Sequence, residues 1–239
     1  MAKTYKSILI ISDLHLPFQH KDIFDFYKKL KREVNPDLVI CIGDEIDGHA
    51  WSYHEEDQSA YGPDQEFELA LTEIKKLYKI FPAAHCMHSN HGSLHERKAK
   101  TAKIPSAFIK SYKEAFEAPP DWHWHQEFKA LMSNQEQVLF HHGMGANAFT
   151  NAMDLGVSMV QGHHHGRLEA VQKFCPFMGK NIFGMTVGCG IDSKAYAFKY
   201  GVNFSRRPKI GAGLIINSAP IPVPLILNKH GRWINKLQR

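Results

Sequence analysis

The stretch LVICIGDEID, Leu38–Asp47, decides how the rest of the chain is read. Leu38 to Ile42 is a continuous apolar run rich in branched residues, which predicts a strand buried on both faces. Gly43 lets the backbone turn sharply, and Asp44 follows at the carboxyl end of that strand, where the ligands of open α/β sheets collect. A lone Gly-Asp is most simply a turn or a helix cap. A carboxylate in such a crevice, however, is costly to desolvate unless a cation or a hydrogen-bond donor meets it. Asp44 does not stand alone. Three other strand-like runs end at Asp13/His15, Asn90/His91 and His141/His142, and a further segment carries His163/His165. Together they predict a two-metal site with Asp44 at its centre.

Outward from this stretch the chain alternates strands and helices. Ser7–Ile11 (SILII) reads as the first strand. Lys21–Val34 carries the apolar stripe Ile23, Phe26/Tyr27, Leu30, Val34 of an amphipathic helix, stopped by Asn35-Pro36. Its lysines and Arg32 read as a solvated face. The long loop after Asp44, with Asp47, His49, Trp51 and His54, has the length and aromatic content of a segment bordering a binding site. Pro63-Asp64 starts a second helix, Ala83–His88 is a short strand, and Pro105 is expected to open a third helix reaching about Glu117. Asp121–Gln126 (DWHWHQ) reads as an irregular crossover and Gln137–Phe140 as a strand. Ala146–Leu155 reads as helical, and Val157–Val160 is a strand entering GHHHGR. Beyond it the texture is β-rich: Leu168–Gln172, Ile182–Val187, Ala212–Asn217, then Ile221, Val223, Leu225 and Leu227 in alternation. Two sheets packed face to face with helices outside account for both halves.

A length of 239 residues suits one α/β domain, and 44% hydrophobic with 22% charged residues is ordinary for a globular chain. The apolar runs are too short to span a bilayer, and MAKTYKSILIISDLH lacks a signal-peptide layout, so a cytoplasmic location is expected. The four cysteines, Cys41, Cys86, Cys175 and Cys189, form no Cys-x-x-Cys pair, and Cys41 and Cys86 sit inside apolar runs where free cysteine packs as a small hydrophobe. A net charge of +5 is compatible with a polyanionic partner without naming one. No stretch points to a protein partner. The sixteen histidines are more telling, because many fall at strand ends.

Two divalent metals about 3.5–4 Å apart need one bridging carboxylate, further nitrogen or oxygen ligands, and room for water and a phosphate oxygen. Asp13-x-His15 begins one metal site, Asp44 can bridge, Asn90 offers an amide oxygen, and His142 and His163 offer imidazoles. His163 and His165 face the same site only if the chain bends after Gly162. His141 competes with His142 for the ligand role. Mixed imidazole and oxygen donors suit manganese, iron, zinc, cobalt or nickel.

Asp13-Leu14-His15, Gly43-Asp44-Glu45-Ile46-Asp47, Asn90-His91, His142-Gly143 and Gly162-His163-His164-His165 resemble the five successive signatures of the calcineurin-like metallophosphoesterases. The resemblance implies one such domain over residues 1–239, folded as a four-layer αββα sandwich of two mixed β-sheets flanked by helices. It assigns Asp13, His15 and His165 to one metal, Asn90, His142 and His163 to the other, and Asp44 to both. His142 is preferred over His141 because it precedes Gly143, as the family ligand precedes its glycine. His91 becomes the residue that meets the phosphate and assists the leaving group. The openings DLHLP and SNHGS are similar to those of phage-encoded members. The chain departs from the pattern at Ser89, where the family has Gly, and at Gly92, where it has an acid that orients the catalytic histidine. Glu96 is then the candidate to replace that acid. Gly48 stands where the protein phosphatases carry Arg, which argues against a protein phosphatase.

The expected reaction is hydrolysis of phosphate esters by a hydroxide held between two divalent cations, manganese foremost, with His91 aiding departure. Phosphodiesters of nucleic acid or nucleotides are favoured, on the basic balance, on Trp51 and Tyr53, and on Arg206-Arg207. A small-molecule phosphomonoesterase is the alternative, and a catalytically silent binding module of the same fold is a third reading, against which the full ligand set argues.

Overall fold

A computed structural model describes residues 3–53, 60–145, 147–192, 194–195 and 207–237. In chain order the elements are β1 (Thr4–Tyr5), β2 (Ser7–Ile11), α1 (Ile23–Val34), β3 (Leu38–Cys41), α2 (Pro63–Ile80) and β4 (Ala84–Met87). There follow α3 (Leu94–Thr101), α4 (Tyr112–Ala115), β5 (Trp122–His125), β6 (Phe128–Met132), β7 (Gln137–His141), α5 (Ala148–Leu155) and β8 (Ser158–Gln161). The last strands are β9 (Leu168–Cys175), β10 (Lys180–Val187), β11 (Gly211–Ile216) and β12 (Ala219–Pro224).

The strands form two six-stranded mixed sheets, β1-β6-β7-β8-β10-β9 and β12-β11-β2-β3-β4-β5. Alternation along β2 explains why they stack. Leu9 and Ile11 turn toward a layer made by Phe26, Tyr27 and Leu30 of α1 and Ile74 and Leu77 of α2. Ile8 and Ile10 turn the other way, onto Val138, Phe140, Val160 and Met185 of the facing sheet. All of these side chains are fully buried, each worth about 1.5–3 kcal/mol on leaving water. On the outer face of the sheet that holds β8 and β10, Ala152 of α5 packs with Met159 and Ile182. The result is the αββα sandwich expected. The parallel run β2-β3-β4 and the parallel pair β7-β8 aim their carboxyl ends at one corner where the sheets meet.

Element ends move by a residue or two from the sequence reading, as is usual. Two segments differ more. Asp121–Gln126 is not an irregular crossover: it contains β5, parallel to β4, with Ala84 opposite Trp122. Trp122 is fully buried and donates its indole N–H to the Phe81 carbonyl at 2.8 Å. The expected helix from Pro105 to Glu117 is a 3₁₀ turn at Ser106–Phe108 and the short α4, closed by a reciprocal Ser111/Glu114 capping box. Ile104 and Phe108 point to solvent, so this segment lacks the buried stripe that sustains a helix. The helix lies instead at α3, which buries only Leu94 and Ala99. Among the described residues no helix is long and apolar enough to cross a membrane.

Candidate metal centre

Three strands of the corner, β2, β3 and β8, deliver their polar residues through a sharp turn. The backbone is left-handed at Asp13 (φ 49°), His15 (φ 49°), Asp44 (φ 48°) and His163 (φ 63°). L-residues avoid this conformation at a cost of about 1–2 kcal/mol each. The turn at His163 is the bend that lets His163 and His165 face the corner. The loops are stitched to one another: the Asp13 amide donates to the Gly43 carbonyl at 3.0 Å, and the His15 amide to the Asp44 carbonyl at 2.9 Å. The His163 amide donates to the Asp13 carboxylate at 3.0 Å. Gly43, at φ 96°, admits no side chain, because a Cβ there would lie 2.6 Å from that of Ser89.

All seven metal candidates from the sequence converge here. Asp13, His15, Asp44 and His165 form one group close enough to hold a cation, and Asp44, His142 and His163 form another. In the first, His165 Nε2 is 3.3 Å from Asp13 Oδ1 and 3.1 Å from His15 Nε2, and His15 Nε2 is 3.7 Å from Asp44 Oδ2. In the second, Asn90 Oδ1 lies 2.6 Å from His142 Nε2 and 3.0 Å from His163 Nδ1, and His142 Nε2 is 3.2 Å from Asp44 Oδ2. Asp44 is common to both.

The second ring nitrogens show how the ligand faces are set. His15 Nδ1 donates to the Asp47 carboxylate at 2.6 Å, and His142 Nδ1 to the Ile42 carbonyl at 2.7 Å. Both rings therefore turn Nε2 toward the corner. The ring of His141 faces elsewhere: its Nδ1 accepts the Gly143 amide at 3.1 Å, and no grouping of candidate ligands includes it.

His91 sits beside the groups, its ring centroid 4.5 Å from that of His15. Its amide donates to Asp44 Oδ1 at 3.0 Å, and its Nδ1 meets the Asp47 carbonyl. Glu96 is not the residue that orients it; its carboxylate lies 4.0 Å from His95 Nε2. Asp47 takes that place, with a carboxylate oxygen 3.7 Å from His91 Nδ1. One residue thus positions both His15 and His91, a relation across 32 and 44 residues that no local spacing announces. Ser89 also has a use: its hydroxyl accepts the amides of Asp44 (2.9 Å) and Gly92 (3.2 Å), tying the Asp44 loop to the Asn90 loop.

The electrostatics suit cations. Burial opposes the charge of Asp44, but the imidazoles of His142, His91 and His15 outweigh it and hold its pKa well below the usual range. Burial likewise opposes a charged His142, yet Asp44 and Asp13 push it up to about 10. Burial dominates at His15, whose pKa is lowered. Asp44 Oδ2 is buried and has no hydrogen-bond partner. This buried anionic oxygen, 3.2 Å from His142 Nε2 and 3.7 Å from His15 Nε2, is a place that a cation could take from those imidazoles once they are neutral.

Of the loop after Asp44, Trp51 packs against Phe67 with centroids 6.2 Å apart, while Tyr53 is 62% exposed beside Lys98 and Arg97. His54 and Arg206 lie outside the described residues.

An αββα sandwich gathers at its strand ends carboxylates and imidazoles that could hold metal ions. The family model for calcineurin-like phosphoesterases matches residues 6–167, and the chain belongs to that family. No curated protein matches the chain by sequence. Among solved structures it is similar to Vps29 of Chaetomium thermophilum, at 13% identity and TM-score 0.52, covering 99% of this chain and 96% of that one. It is also similar to YfcE, a phosphoesterase from E. coli, at 12% identity and TM-score 0.49, covering 95% and 96%. At 13% identity the likeness to Vps29 speaks for the fold alone.

Proposed function

We propose that the chain hydrolyses phosphate esters with two divalent cations at this corner, phosphodiesters of nucleic acid or nucleotides being favoured. The observation that supports the reading is the convergence of His15 Nε2, at 3.7 Å, and His142 Nε2, at 3.2 Å, on the buried Asp44 Oδ2. Asp13, His15 and His165 would hold one cation, Asn90, His142 and His163 the other, and Asp44 both. Manganese is proposed, since carboxylate, amide and imidazole donors suit it. When bound, such a pair makes water acidic and neutralises phosphate oxygens.

The chain's own residues do the rest. Asp47 and the Ile42 carbonyl fix the tautomers of His15 and His142, so that each presents Nε2. Burial works against a charged His91, but Asp44 and Asp47 together raise its pKa. With Nδ1 donating to the Asp47 carbonyl, a proton on Nε2 of the charged ring would be the one that a departing oxygen takes. Arg97 donates to the Asn90 carbonyl, and with Lys98 it flanks the exposed Tyr53. This cationic and aromatic edge beside the Asn90 half suits a phosphodiester strand with bases.

Protein reconstituted with manganese should cleave a nitrophenyl diester and a short single-stranded oligonucleotide faster than the nitrophenyl monoester. His91→Asn should keep its metal and lose about 10²–10⁴-fold in turnover. The loss should be greater on the oligonucleotide, whose alkoxide needs a proton, than on nitrophenolate. Monoester turnover without diester or oligonucleotide cleavage would make the phosphomonoesterase reading right. Equal losses on both leaving groups would remove His91 from the acid role.

A further inference from the structure

The two outer strands at the β9/β12 side of the sandwich are built differently. In β12 (APIPVP) every second residue is a proline, Pro220, Pro222 and Pro224. The ladder to β11 is kept, and the prolines remove donors from an edge that would otherwise template another strand. In β9 (LEAVQKFC) there is no proline, glycine or bulge over eight residues. Among the described residues β10 is its strand partner, so its outer side is an open edge. It also presents apolar side chains to solvent, Val171 at 39% and Phe174 at 60% exposure.

We propose that β9 pairs antiparallel with β9 of a second copy, joining the two β9-bearing sheets into one continuous sheet across a two-fold axis at Val171. In a regular antiparallel ladder a two-fold axis must fall on a residue that faces itself, which leaves few registers. With Val171 on the axis, Glu169 faces Lys173 of the second copy, and by symmetry Lys173 faces its Glu169. Leu168 faces Phe174, and Ala170 faces Gln172. Opposite charges pair twice, and the apolar ends cover each other. The sides agree as well. Ala170, on the even-numbered side, packs against the core between the sheets, while Lys173, on the odd-numbered side, lies over Phe149 of α5. Directly opposed residues share a side, so both ion pairs fall on the α5 side. Neighbouring registers lose this match: an axis at Ala170 sets Arg167 against Lys173, and one at Gln172 sets Val171 against Lys173. Within one copy, among the described residues, the ion pair of Glu169 is a distant one to Arg167, at 3.9 Å.

Charge exchange tests the register. Sedimentation of the intact chain over a concentration series should show a monomer–dimer equilibrium. Glu169→Lys alone and Lys173→Glu alone each bring like charges together twice, and each should weaken dimerisation by about tenfold or more. The double exchange Glu169→Lys/Lys173→Glu restores opposite pairs and should recover the wild-type equilibrium. Amide exchange at residues 168–175 should slow as protein concentration rises. A chain monomeric throughout the series, or a dimer indifferent to the single exchanges, would overturn the proposal. Circular dichroism and phosphoesterase turnover report whether each variant is folded, since neither residue belongs to the metal corner.

Discussion

The half of the metal corner built by Asp13, His15 and His165 and the half built by Asn90, His142 and His163 share Asp44 but differ in charge and access. The first has a carboxylate of its own, and Asp13 and His15 are fully buried. The second has a neutral amide in that place, and both Asn90 and His163 are exposed. A cation in the first would face two carboxylates in a low dielectric; one in the second would face the shared carboxylate with water at hand. The difference predicts a tight, slowly exchanging inner site and a labile outer one, and it places substrate entry on the outer side.

Removing the shared residue should erase the difference along with the activity. Asp44→Ala is expected to lose both metals and at least about 10³-fold in turnover, as measured by elemental analysis and diester hydrolysis. Retention of two equivalents would mean that Asp44 bridges nothing.

Breaking one half at a time gives the next largest effects. Asn90→Ala should keep one equivalent of manganese and weaken the other by about 10–100-fold in a metal titration, whereas Asp13→Asn should lose the tighter equivalent. Identical titrations for the two variants would abolish the distinction between inner and outer sites.

Proton release sharpens it further. His142 in the metal-free protein has its pKa raised from 6.5 to about 10, so at pH 8 it is mostly charged and pairs with Asp44. A ligand imidazole must be neutral, so filling the outer site at pH 8 should expel about one proton, read with an indicator dye. His142→Ala should not release it. The sign for folding runs the other way. This pairing stabilises the metal-free chain fully below pH 6.5, and the stabilisation is lost as pH rises through about 10. No difference in release between wild type and variant would show that His142 is already neutral.

Much of this centre was legible in the sequence, because its parts are local. An apolar run followed by Gly43-Asp44 or by Asn90-His91 reads as a strand and its polar end without knowledge of the fold. Asp47 was less legible: its work is done on His15 and His91, and folding brings those rings to it. The same distinction explains the fold. Strands β2 and β3, buried on both faces, announce themselves, whereas β5 alternates Trp122 and Trp124 with exposed or half-buried His123 and His125 after a Pro-Pro pair. α3 carries four charged side chains around Leu94 and Ala99. Its helicity rests on charged residues and a small buried face, so periodicity hardly shows it.

The left-handed corners at Asp13, His15, Asp44 and His163 carry a consequence for the history of such a chain. Function here demands side chains at turns that glycine would occupy with less strain. On the proposed reading, a descendant that no longer needed metal would gain stability by exchanging those residues. His163→Gly, at the most exposed of the four, should raise the melting temperature of the metal-free protein while emptying the outer site. An unchanged or lower melting temperature would mean that its contacts to Asn90 outweigh the backbone's discomfort.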